Sequence, residues 1–109
     1  MIRQAASVAL VLLFAGGSVV AADTPSGKAI FDRNCAACHA PGPGHAGTQR
    51  LAQLRGGAQS ALEQRTDLDP AYVRIVVRQG LVEMPPWRPT ELGDAELRQL
   101  TDYLSRGRK

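Results

Sequence analysis

The run Cys35-Ala36-Ala37-Cys38-His39 sets two thiols one helical turn apart, with an imidazole directly after the second. At that spacing both sulfurs and the ring can address one side of a flat ligand. Two thiols can add across the two vinyl groups of a haem while the adjoining imidazole reaches its iron. Other uses of the pair fit less well. A thioredoxin-like redox pair wants a βαβ context, which the chain lacks. A structural zinc site wants two further ligands at paired spacing, and only His45 remains to offer one. A disulfide across two residues would close a very short loop and staple almost nothing. The expectation is one covalently bound haem c, with Cys35 and Cys38 as thioether donors and His39 as the proximal iron ligand.

A second iron ligand would have to come from elsewhere in the chain. Beyond residue 22 the chain contains a single methionine, Met84. A lone methionine is ordinarily core filler. This one sits in Val82-Glu83-Met84-Pro85-Pro86-Trp87, a proline-stiffened stretch with no helical face to pack. A thioether on a rigid loop, opposite a histidine far earlier in the chain, builds a closed six-coordinate site. Met84 is therefore expected as the distal iron ligand, with Trp87 packed on the haem beside it. His45 is the rival ligand. It follows His39 by only six positions in a glycine-rich loop, and surface placement is expected for it.

The elements that must position these groups are helices. Met1-Ile2-Arg3 gives a short positive start, and Ala5 to Ala22 carries no charge before the polar Asp23-Thr24-Pro25-Ser26. Small residues at Val20-Ala21-Ala22 complete a secretory signal peptide over residues 1–22, with residues 23–109 as the functional domain. The competing reading is an uncleaved anchor, because the uncharged run is barely long enough to span a bilayer. Cleavage leaves 87 residues with 12 basic and 10 acidic side chains. So small a domain commonly needs a staple or a large ligand, and two cysteines rule out a dense disulfide framework. The charge balance is too weak to argue for nucleic acid.

Ser26 is placed as N-cap of a first helix running from Gly27 through Cys38, and Pro41-Gly42-Pro43-Gly44 forces a loop after His39. Thr48 caps a short helix carrying Leu51 and Leu54, which Gly56-Gly57 ends, and a further short helix is expected over 58–64. Asp69-Pro70 opens a helix whose apolar face is Tyr72, Val73, Val76 and Val77, with Gly80 as terminator. Pro85, Pro86 and Pro89 make 81–91 an extended loop. Asp94 caps a last helix with Leu97, Leu100 and Leu104 at helical spacing and Tyr103 beside them. The fold class is all-α, three to five short helices around the haem.

With these motifs in place, the sequence resembles the class I (mitochondrial-type) bacterial cytochromes c. In that family the first and last helices cross through a glycine and an aromatic from each side, which maps the contact onto Gly27, Phe31, Leu100 and Tyr103. Met84-Pro85 fits the family's ligand loop. The stretch from Ala71 to Gly80 and on to Met84-Pro85 is similar to the cytochrome subunit of p-cresol methylhydroxylase-type flavocytochromes. That resemblance implies a flavin-dependent dehydrogenase as electron donor. In the family a proline carbonyl after the haem motif accepts from the proximal histidine's other ring nitrogen. Ala46 stands where relatives carry that proline, and Pro43 is the candidate here.

The function these features imply is a periplasmic electron carrier, not an enzyme, without stable membrane insertion once the leader is removed. Histidine–methionine ligation favours ferrous iron and raises the potential. Two other classes are kept apart from it. A peroxidase-like enzyme needs a displaceable sixth ligand, and a non-haem disulfide-bearing interaction domain would take up no haem.

Overall fold

The computed structural model describes residues 16–18 and 23–108. The leader expected over residues 1–22 lies outside them apart from residues 16–18. Among the described residues the elements are α1 (Gly27–Asn34), α2 (Ala36–His39), α3 (Ala46–Arg55), two 3-10 turns (Gly57–Gln59 and Leu62–Gln64), α4 (Pro70–Gln79) and α5 (Asp94–Ser105). No strand occurs among them; Leu81 and Met84 form an isolated bridge.

Local chemistry explains most boundaries. Ser26 Oγ accepts from the Ala29 N–H at 3.2 Å and starts α1. Asp69 Oδ1 accepts from Ala71 and Tyr72 N–H at 2.8 and 3.3 Å, with Pro70 at the first helical position of α4. Gly80, at φ 75°, stops α4 in the left-handed region.

The core is the seam between α1, α4 and α5. Ile30 and Phe31 of α1 are fully buried against Leu97, Leu100 and Leu104 of α5, with Val73 and Val77 of α4 closing the third side. Each such side chain contributes about 1.5–3 kcal/mol on burial. Gly27 lets α1 and α5 approach closely: a Cβ there would strike the Gln99 carbonyl and the Tyr103 Cβ. Phe31 and Tyr103 stack tilted at 6.3 Å, as the expected crossing residues should. The Tyr103 hydroxyl donates to Glu63, and Arg33 pairs with Glu96 at 2.7 Å across the two helices.

Several boundaries differ from expectation. The first helix is interrupted at Cys35, whose φ of −119° departs from helical geometry and restarts the chain as α2. Thr48 lies inside α3 and does not cap it, because its hydroxyl donates to the Ala40 carbonyl at 2.8 Å. His45 precedes α3 without a side-chain cap. The expected 58–64 helix is two 3-10 turns; Ser60 Oγ takes the Gly57 carbonyl at 2.7 Å and closes the first. Gly93, not Asp94, is the N-cap of α5. Asp94 is drawn to Arg78 at 2.6 Å, while the Glu96 carboxylate accepts from the Gly93 N–H at 3.1 Å.

Candidate cofactor site

The Cys35 interruption turns α2 onto the edge of a cavity of about 360 Å³. Cys35, Cys38 and His39 line it from α2 and its junction with α1. Met84 lines it from the turn after α4, and Trp87 from the same segment. Sequence reasoning therefore names groups, separated by some 45 positions, that the fold brings to one cavity. The remaining wall is largely apolar, drawn from α4 (Val73, Val76, Val77) and α5 (Leu100, Leu104). Pockets of this size and lining suit a flat apolar ligand with a few convergent polar groups.

The polar groups carry the imprint of burial. Cys35 and Cys38 form no disulfide. Burial, and then the neighbouring Cys38, push the Cys35 thiol up to about 11. Burial pushes His39 below the ordinary imidazole range, which keeps the ring neutral and its lone pair available to a metal. His45 does not line the cavity; its Nδ1 donates to the Ala37 carbonyl at 3.0 Å, tying the 40–45 loop back onto α2.

The Pro43 expectation is corrected. Pro43 is exposed, and the buried Nδ1 of His39 has no hydrogen-bond partner among the described residues. The first turn of α3 lies against the ring instead. A Cβ on Gly47 would come within 2.6 Å of His39 Cε1 and 2.8 Å of Nδ1 and of the Cys38 carbonyl. Gly47 thus leaves the ring space that any side chain would occupy. Nothing local in the sequence signals it, because Gly47 stands second in α3, at the helix start, where a glycine has no special meaning.

Three more groups were not legible beforehand. Asn34 brings a second buried, unpartnered donor, Nδ2, to the cavity wall. Arg65 lines the cavity with a side chain only 6% exposed, held by Asp67 through bonds of 2.8 and 2.7 Å. Val82, next but one to Met84, takes φ 54° in the turn closed by the Leu81–Met84 pair. A β-branched residue is strained there, and strain of this kind gathers at ligand clamps.

A haem fits what is present: two thiols, a neutral imidazole with buried edges, a thioether and an apolar wall around one cavity. Residues 22–104 match the family described as cytochrome c oxidase, cbb3-type, subunit III, and the chain belongs to the cytochrome c family of haem-binding electron-transfer proteins. Its relatives narrow the class. The cytochrome c subunit of 4-cresol dehydrogenase (hydroxylating) from Pseudomonas putida is 30% identical over 94 residues, spanning 86% of this chain and 71% of that protein. Cytochrome c6 of Euglena viridis is 33% identical over 88 residues, spanning 72% of this chain and 86% of that one. Among solved structures, a chain of p-cresol methylhydroxylase with substrate bound superposes with a TM-score of 0.54 at 32% identity, covering 75% of this chain and 92% of that one. The same enzyme at 2.5 Å resolution gives the same TM-score and identity. No helix among the described residues is long and apolar enough to cross a membrane.

Proposed function

We propose that this chain is a periplasmic single-haem electron carrier and a redox partner of a flavin-dependent dehydrogenase of the p-cresol methylhydroxylase type. Residues 1–22 direct export and are cleaved after Ala22. Cys35 and Cys38 would hold haem c by adding their thiols across its two vinyl groups, and His39 and Met84 would be its two protein ligands to iron. The observation that carries this reading is the convergence of both thiols, His39 and Met84 on one apolar cavity.

Bound there, haem supplies a one-electron ferric/ferrous couple. The protein's own groups set the terms of that couple. Cys35 and Cys38 tether the macrocycle to α2, so that it cannot dissociate between electron transfers. His39, with room left for its ring by Gly47, would supply the imidazole ligand, and Met84, with its soft sulfur, would favour the reduced iron. With His39 and Met84 both engaged, the group would serve electron transfer and not the binding of oxygen or substrate. The side chains of Val73, Val77, Leu100 and Leu104 exclude water and disfavour the extra positive charge of the oxidised state. Arg65 at the wall suits an anionic substituent. Exposed Pro41–Gly44 and Pro85–Pro86 border the cavity-forming segments and offer a rim for a partner protein.

Support for the flavoprotein partner is the likeness to the 4-cresol dehydrogenase cytochrome subunit along most of the chain. A potentiometric titration of the exported, matured protein tests the function. One electron per chain and a haemochrome spectrum of the thioether type are expected; protein that takes up no electron, or two together, overturns the reading. Rapid reduction by a flavin dehydrogenase purified from the same host is expected as well, weakening as salt rises if rim charges steer the encounter.

A further inference from the structure

The segment that carries Met84 runs from α4 to α5 without helix or strand, so it depends on a few local turns and on what ties it to the helices. Between Leu81 and Leu92 it contains Pro85, Pro86 and Pro89, which have no N–H to donate. Leu81 and Met84 exchange backbone bonds of 3.0 and 2.9 Å, and the Trp87 N–H donates to the Val77 carbonyl at 2.8 Å. At Gly80 the chain doubles back so tightly that a Cβ would lie 2.7 Å from the Met84 carbonyl and 3.0 Å from Pro86 N. These contacts fix the near side of the segment to the end of α4.

The far half turns on Arg88, whose N–H donates to Glu91 at 2.9 Å and whose carbonyl accepts from the Glu91 and Leu92 N–H at 2.9 and 3.0 Å; one side chain ties that half to α4. Arg78, in the last turn of α4, donates from Nη1 to the Trp87 carbonyl at 3.1 Å and to the Leu92 carbonyl at 2.8 Å. Its Nη2 donates to Asp94 Oδ1 at 2.6 Å. A single guanidinium therefore joins α4, the middle and end of the Met84 segment, and the first residue of α5. The Arg78 side chain is 20% exposed, so its bonds to the two carbonyls are largely shielded, whereas Asp94 is 77% exposed. The planar fork of arginine is suited to three acceptors in different directions; a lysine ammonium is a compact point charge on a flexible stem.

We infer that Arg78 is the positioning residue for Met84: it holds the 81–92 segment where the thioether faces the cavity, and so sets how well Met84 competes for the iron. This rests on Met84 being the distal ligand. A thioether is a modest ligand for ferric iron, so an added imidazole can displace it. The apparent affinity for that imidazole includes the free energy of moving the segment. A loosened segment costs less to move, and imidazole then binds more tightly.

The test is an imidazole titration of the ferric, exported and matured holoprotein, read by loss of the methionine–iron charge-transfer band. Losing shielded charge-assisted bonds is expected to make Arg78→Gln bind imidazole about tenfold tighter than wild type. Arg78→Lys should fall between the two. Asp94→Asn, which removes only the exposed partner, should change the affinity by about twofold or less. Wild-type affinity in Arg78→Gln, or in Arg78→Lys should the glutamine variant not fold, overturns the inference. Met84→Ala separates the two readings. A band present in wild type and absent from Met84→Ala upholds the ligand, so unchanged Arg78 variants then count against Arg78 alone. A wild-type protein without the band removes the ligand reading and the inference together.

Discussion

Gly27 and Gly47 both let a helix approach something closely, and the difference between them divides the molecule. Gly27 lies where α1 meets α5, and the neighbours a Cβ would strike are backbone and the root of a side chain. That region closes by protein packing alone, with Ile30, Phe31 and Leu97 at 0–1% exposure. Gly47 lies where α3 meets the end of α2, and the neighbours are the His39 ring and the Cys38 carbonyl. There, large apolar side chains (Leu54 at 64% and Leu81 at 53% exposure) line a cavity without being covered by protein. One half of the domain is a frame that polypeptide completes. The other is a cradle shaped for something the polypeptide holds.

Three substitutions sharpen or break this division. Gly27→Ala should be the most damaging, because α1 and α5 must separate to admit the methyl group; a loss of about 3 kcal/mol is expected from denaturant unfolding. Gly47→Ala should cost less in folding, about 1 kcal/mol, because only a ring and the end of α2 must yield. It should instead alter the visible spectrum and lower the yield of haem-loaded protein. A Gly47→Ala protein as unstable as Gly27→Ala, with an unchanged spectrum, would erase the distinction. The smallest effect concerns pH. The N–H groups of Ala71 and then Tyr72, with help from Arg108, hold the Asp69 carboxyl below the ordinary carboxylate range. A depressed value in the folded state gives stability that is present above the ordinary value and lost as pH falls through the depressed one. Asp69→Asn should flatten that acid limb in a series of thermal melts, without moving the visible spectrum.

The legible features were those with short-range chemistry. Ser26, Asp69-Pro70 and Gly80 mark helix ends by hydrogen bonds and dihedrals confined to a few residues, and the structure keeps all of them. The two-thiol motif and Met84 were legible because residue type and a proline-rich setting restrict what they can do. What escaped depends on distant partners. Asp94 has the chemistry of a cap, but Arg78, sixteen positions earlier, recruits it. Thr48 was read as a cap, but the Ala40 carbonyl, across the loop, takes its hydroxyl. Arg78 itself looks like any basic residue in a last helical turn, where a charge complements the dipole. Only the folded path of 81–92 gives its guanidinium three acceptors. Gly47 and Arg65 owe their places at the cavity to packing that no local pattern encodes.

The intact mass of the exported, matured protein under denaturing conditions tests most directly whether the cradle holds its ligand by two sulfur bonds. A species equal to residues 23–109 plus one haem is expected, reverting to the bare polypeptide in a Cys35→Ser/Cys38→Ser protein. A bare polypeptide mass for the wild-type chain would contradict it.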